Sequence, residues 1–405
     1  MPALRHRLPP ILAWAGLLLA THAVAADTLT GDRGGLRKRL ADAGLQFQAS
    51  YTGSAIEHLA GGFRRGLDSQ GLLDVSMDLD LGKIIGWQGA LFHAESLWLQ
   101  GSDPSSAYIG NFDEVSGIAG VATARPYQIW FQQRFLNDRA SLKAGWVTLD
   151  VDFMNSTGAN LFTNASFGSP VQTWNGNFTA PVYPVAALGA SLEWKVDDRH
   201  ELQFGVYDGD TGGERGNLRT SNTRVAGDDG AAVLLEFSRS YTLAGRPGIW
   251  KLGSGWNTGL TTVNDTGGMR HGNGHAYVII DQTLLSGPGK DADDRLAMFT
   301  RLGCAPWAER SIVDFSLDFG FTGSGFRKGD LWGAAVTYVS FSGSFVAAQA
   351  GSGTFSTTSE TTLELTYKAS LSEWLTLQPT LQYVITPQDG AQDATVLGLV
   401  MGVTF

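Results

Sequence analysis

The sequence predicts an all-β protein, a single transmembrane antiparallel β-barrel of about 16 strands. Three observations predict it. The chain opens on an export signal. It then runs through many segments of apolar–polar alternation, several of them 9–12 residues long. The connections between those segments alternate between very short and very long.

The export signal comes first. Arg5, His6 and Arg7 form a basic start, Ile11 to Ala20 an apolar core, and Ala23-Val24-Ala25 an A-x-A cleavage site. The core is too short to cross a bilayer as a helix. Residues 1–25 are therefore expected to be removed. Taking Arg5 and Arg7 from the 29 basic residues leaves 27 against 39 acidic ones, a net charge of −12. That charge argues against nucleic acid as a partner. Cys304 is the only cysteine, so no disulfide framework is expected. Residues 26–44 are expected to be a periplasmic segment with a short helix in "LRKRLADAG", where Arg37, Lys38 and Arg39 form a solvated face. Residues 45–405 are expected to form the barrel domain.

The strands follow from the alternation. In "TTLELTYKA", Leu363, Leu365 and Tyr367 face one way, and Thr362, Glu364, Thr366 and Lys368 the other. In "LTLQPTLQYVI", Leu375, Leu377, Leu381, Tyr383 and Ile385 share a face. Nine to twelve residues is the length a tilted membrane-spanning strand needs and exceeds the usual strand of a globular sheet. Sixteen candidates lie near 45–56, 70–81, 88–100, 127–136, 140–148, 186–196, 200–208, 230–238, 248–257, 273–282, 295–303, 312–321, 331–340, 360–369, 374–385 and 394–405. The alternation blurs at 88–100, 273–282 and 295–303. "NDR" (137–139), "DDR" (197–199) and "SLSEW" (370–374) read as tight turns. Long Gly/Ser/Asn-rich loops fall at 101–126, 149–185, 209–229 and 341–359. Short turns on one rim and long loops on the other are the pattern of a barrel in the outer membrane, with lipid on its outer face. An even strand number puts both termini on the short-turn, periplasmic rim. The last strand closes the barrel and must be complete to its final residue, which places Phe405 on the lipid side at the interface.

Charge assigns the lumen. An Arg on the lipid face at mid-membrane costs ~2–4 kcal/mol, so Arg125, Gln128, Trp130, Gln132 and Arg134 are assigned to the channel and Tyr127, Ile129 and Phe131 to lipid. The same argument turns Asp74, Asp78, Asp80, Lys143, Glu193, Lys195, Glu236, Asp314, Asp318, Glu360, Glu364 and Lys368 inward, with Gln378 and Gln382 beside them. Inward positions are expected to be polar throughout. Mixed charges, amides and an indole suit a neutral, hydroxyl-rich solute: the polar groups replace its hydration and the indole slides along its C–H faces. The longest loop, 149–185, adds Asp150, Asp152 and Asn164. A loop of that length is usually functional.

Several segments resemble the carbohydrate-selective porins of Gram-negative bacteria (OprB type). "GDRGGLRKRLADAGLQFQASYTG" (31–53) resembles the family's mature N-terminus, with Arg33 where Trp is expected. "ARPYQIWFQQRF" (124–135) resembles its Arg-x-Tyr-x-x-Trp-x-x-x-Arg-Phe strand. "TNASFGSP" (163–170) and "PVYPVAALG" (181–189) resemble its third-loop region. "LTLQPTLQYVITP" (375–387) is the most specific match, and "TRLGCAPWAERS" fits with Cys304 in place of Trp. The resemblance implies a sixteen-stranded pore passing sugars by facilitated diffusion. It implies a third external loop folded inward as the constriction, and an assembly signal at Phe405 read by the barrel-insertion machinery. A monomer or a trimer fits the family equally. No cofactor or metal is expected: His271 and His275 form H-x-x-x-H, but in a Gly-rich stretch without a carboxylate between them. Two other functions were weighed. A channel for organic acids would show clustered Lys and Arg with few lumenal carboxylates. A barrel enzyme would need a Ser–His pair at one rim, and no recognisable nucleophile motif is present.

Overall fold

The computed structural model describes residues 28–220, 227–287, 295–352, 357–387 and 391–405. The export signal lies outside them. Sixteen antiparallel strands close into one barrel, each paired with its neighbours in sequence and the first with the last. They are β1 (Leu45–Gly62), β2 (Gly66–Asp80), β3 (Ala90–Gly101), β4 (Thr123–Phe135), β5 (Ala140–Val147), β6 (Ala187–Lys195), β7 (His200–Asp208), β8 (Ala231–Leu243), β9 (Arg246–Thr262), β10 (Met269–Ser286), β11 (Arg295–Cys304), β12 (Val313–Ser324), β13 (Leu331–Phe341), β14 (Ser359–Ser370), β15 (Leu375–Ile385) and β16 (Gln392–Thr404). Among the described residues no helix is long and apolar enough to cross a membrane. Closure is what makes the fold viable in lipid, because every strand edge finds a partner.

The outward face is apolar where it meets lipid. Leu363, Leu365, Leu381, Leu397 and Leu399 are all exposed, while the alternate positions Thr362, Glu364, Gln382 and Val396 are buried inside the barrel. Asn137 and Asp138, with Leu136, turn β4 into β5 in left-handed backbone conformations, which Asn and Asp tolerate at low cost.

A short helix, α1 (Leu36–Asp42), precedes β1. It helps close the seam between β1 and β16. The Arg37 guanidinium donates to the Phe405 carbonyl oxygen at 2.7 Å and to Thr30 Oγ1 at 3.0 Å. Leu29 N–H donates to Thr404 O, and Phe405 N–H to Ala49 O. The first and last described segments are thus tied across the one junction that no hairpin links. Arg37→Ala should weaken the barrel by about 0.5–1.5 kcal/mol, the range for a hydrogen bond partly open to water. The check is the temperature at which the folded gel band converts to the unfolded one; an unchanged midpoint would remove Arg37 from the seam.

Long connections fill the outer half of the lumen. They are L2 (102–122, between β3 and β4), L3 (148–186, between β5 and β6) and the described parts of L4 (209–220 and 227–230, between β7 and β8). Here one expectation is corrected: inward positions are not polar throughout. Tyr207, Leu234, Tyr277 and Ile279 point inward and pack with Phe153, Val171 and Trp174 of L3 in one buried cluster. Phe299 packs with Phe162 and Phe167 of L3. Leu97 and Leu99 pack with Tyr127 and Ala186. These clusters explain the three blurred strands. Inward residues of β3, β10 and β11 meet folded loop, not water, so an apolar side chain is favoured on both faces.

Candidate functional site

L2 and L3 join into a plate across the barrel. Gly117 N–H donates to Thr163 O and Ala165 N–H to Glu114 O, both at 2.8 Å. The wall holds the plate through carboxylates, amides, an ammonium and guanidiniums. Lys143 Nζ lies 2.6 Å from Asp152 Oδ1, while Asp152 Oδ2 accepts from Ser191 and Tyr207. Glu236 accepts from Met154 N–H at 3.0 Å and Tyr277 Oη at 2.7 Å, and pairs with Lys251. Asp281 accepts from Ser156 Oγ and Gly158 N–H. Glu364 takes Thr163 N–H, Thr163 Oγ1, Asn164 N–H and Thr380 Oγ1, all within 2.9 Å. Gln378 donates to Leu161 O, and Gln382 to Val115 O. Glu360 accepts the backbone N–H groups of Phe112 and Asp113 from L2. Arg301 lies 2.9 Å from Asp318 and also donates to the carbonyls of Ser166, Phe167 and Ser169.

Many residues assigned to the channel from sequence therefore face inward but meet a loop. Lys143, Asp152, Asn164, Glu236, Glu360, Glu364, Gln378 and Gln382 are anchors of the plate. Asp150 pins the root of L3, accepting from Tyr183 N–H at 3.0 Å. Arg125 is buried as well: its guanidinium pairs with Glu214 of L4 at 2.7 Å and reaches Pro184 O. Each such contact matches a charge or amide to a loop group that would otherwise be buried without a hydrogen bond. Asp113, in L2, is fully buried; burial, with Glu360 and Asp318 nearby, holds its carboxyl well above the usual range.

The Tyr127 assignment is also corrected. β3 and β4 slip by one residue: Ala94 faces Ile129 while Ser96 faces Pro126, so Tyr127 and Gln128 together oppose Glu95. This bulge turns both side chains inward. Tyr127 is 6% exposed and meets Tyr183 edge-on. It also reconciles Arg125 with Trp130, which strict alternation would put on opposite faces. Ile129 stays on the lipid side, 41% exposed.

Below the plate, β2–β5 present a polar and aromatic face. His93 stacks on Trp130, its cross-strand partner, with centroids 4.6 Å apart and planes at 14°. Lys143 Nζ stands 5.5 Å from the Trp130 ring. His93 Nδ1 meets Asp78 at 2.7 Å, and Gln128 donates to Glu95 at 2.9 Å. Gly145 faces Trp130 at φ +148°, where a Cβ would come within 2.3 Å of Ile129 O. Only glycine lets β4 and β5 approach there. Gln132 follows on the same face, paired with Leu91 and Lys143. Arg134 pairs with Ser141 at the start of β5 and so stands near the periplasmic rim. Glu193 lies at the same level opposite Ser141 and within 3.5 Å of Lys195. Sequence reasoning missed His93, Glu95, Asp281 and Arg301. Their strands were the blurred ones, so alternation gave no secure parity; the acidic partners Asp78 and Asp318 were the available signal. Among the described residues no group of His, Cys, Asp or Glu could hold a metal ion, and His275 instead packs on Trp174.

Above the plate, the outer mouth holds a cleft of about 710 Å³ lined by L2, L3 and L4.

Comparison with known proteins gives a consistent result. A family model described as carbohydrate-selective porin, OprB family, matches residues 64–405. Porin B of Pseudomonas aeruginosa is 25% identical over 442 aligned positions, spanning 96% of this chain and 95% of that protein. Putative porin QuiX of Acinetobacter baylyi is 28% identical over 284 positions, 64% of this chain and 61% of its own. The high-pH structure of OprB from Pseudomonas putida superposes with a TM-score of 0.85 at 23% identity, covering 94% of this chain and 98% of that one, which shows a shared fold. The family match extends over most of the barrel, so the chain belongs to the carbohydrate-selective porins of the OprB family.

Proposed function

We propose that this outer-membrane porin passes neutral saccharides, hexoses and short oligosaccharides of the glucose type, by facilitated diffusion, with no chemistry done on the solute. The observation that carries this is the β2–β5 face, where Trp130, stacked on His93, stands beside Asp78 and Gln132. An indole offers a flat surface to pyranose C–H groups, and the neighbouring heads exchange hydrogen bonds with hydroxyls at little net cost. The alternative, an organic-acid channel, is disfavoured by pairing of the wall cations: Lys143 with Asp152, Lys251 with Glu236 and Arg301 with Asp318. Planar-bilayer conductance with solute titration tests the choice. Saturable block of ion current by glucose is expected; block by dicarboxylates and none by sugars would overturn the proposal.

The strand expected to run to Phe405 ends one residue earlier, at Thr404, and Phe405 follows it with its N–H donating to Ala49 O. We propose that it also serves as the assembly signal for the insertion machinery. Its deletion should lower outer-membrane yield and leave unfolded chain in the periplasm. Full insertion of the deletion at native expression would refute that role.

A further inference from the structure

We propose that the outer cleft is a saccharide-binding subsite in its own right, separate from the Trp130 face, which captures a short sugar chain before it reaches the plate. This rests on the saccharide proposal above and deepens it. The cleft's 710 Å³ lies within the ~300–1,000 Å³ of small-molecule sites, yet its lining differs from the usual apolar pocket. Gln172 and Asn175 of L3, three residues apart on one helical turn, both line it. Glu114 of L2 and Arg215 of L4 line it from the other sides. Among the described residues none of these four side chains has a hydrogen-bond or ion-pair partner, although nearly every other polar group of the plate has one. Gln172 is 3% exposed, so its amide is held in place by packing while its polar end meets the cleft.

Four unspent polar heads around an open cleft, two of them neutral amides, one a guanidinium and one a carboxyl that burial pushes up to about 7, match a neutral polyol better than an ion. Amides both donate and accept, as a sugar hydroxyl does. Phe112 and Tyr183 add aromatic surface to the same lining. The ion pair between Arg125 and Glu214 ties L4 to the β4 root and fixes the cleft's rim, so the site is largely preformed and little ordering opposes binding.

The experiment uses the full-length porin in oriented planar bilayers, with maltotriose as the probe. Association rates are read from current noise for sugar added on each side. In the double variant Gln172→Ala/Asn175→Ala, the ratio of the extracellular to the periplasmic rate should fall about fivefold. An unchanged ratio would overturn the subsite while leaving the saccharide pore intact. Absence of any sugar block in the wild-type porin would instead overturn the pore proposal and this one with it. A second measurement does not depend on the double variant folding. In a Cys304→Ser background, Asn175→Cys should be labelled by an extracellular maleimide, and maltotriose should slow that labelling at least threefold. Labelling at the same rate with and without maltotriose would overturn the subsite.

Discussion

Arg301→Ala is expected to release part of L3 and widen the pore. Arg301 is 1% exposed, and its fork holds Asp318 and the carbonyls of Ser166, Phe167 and Ser169 around a single turn of L3 at 2.7–2.9 Å. Without it, the Asp318 carboxylate is left buried and unpaired, and the carbonyls of Ser166, Phe167 and Ser169 lose their donor. Removing one partner of a buried pair costs roughly 3–5 kcal/mol. The barrel ladders do not depend on Arg301, so the cost should fall on the loop. The segment around 163–170 should detach, with larger single-channel conductance, more current noise and passage of larger polyethylene glycols. Arg301→Lys retains the charge opposite Asp318 but loses the fork and should fall between the two. A folded Arg301→Ala porin with wild-type conductance and wild-type polymer exclusion would show that L3 is held without this residue.

The second large effect is expected at Trp130. Stacking on His93 orders the indole, and a stacked aromatic contact is worth about 0.5–1.5 kcal/mol beyond its area. Trp130→Ala should therefore raise the half-blocking sugar concentration roughly two- to tenfold, while Trp130→Phe retains most of the wild-type affinity. Arg134 makes the contrast. It stands four residues further along β4, about 14 Å at ~3.4 Å per residue, near the periplasmic rim. Arg134→Ala should lower anion preference, because a fixed positive charge leaves the mouth, but change sugar block less than twofold. Equal losses of sugar block from both variants would move the main contact to the periplasmic mouth.

The barrel itself was legible in the sequence because lipid imposes a one-dimensional rule. Every spanning strand must be long, and its outward positions must be apolar, so period-two alternation reports the strand and its inner face without reference to any partner. Glu364, Gln378 and Gln382 were assigned inward on that rule alone, and they lie inward. The long third loop and the short turns at 137–139 and 197–199 were legible as well, since Asn, Asp and Gly mark turns by local backbone preference.

What the inward residues do was decided by tertiary structure. The sequence determined that Glu236, Glu360 and Glu364 face the lumen; only the folded loops decided that their carboxylates receive backbone N–H groups rather than solute. A bulge opposite Glu95 turned Tyr127 inward, and a bulge depends on how two strands register, which neither strand's own pattern contains. The apolar inward residues of β3, β10 and β11, such as Leu97, Ile279 and Phe299, arise because folded loop covers them, so the water that alternation presumes is absent there. Lipid outside is uniform and writes its demand on every strand. The inside is part water and part folded loop, and which one a given side chain meets depends on contacts between residues up to 267 positions apart, as between Val115 and Gln382.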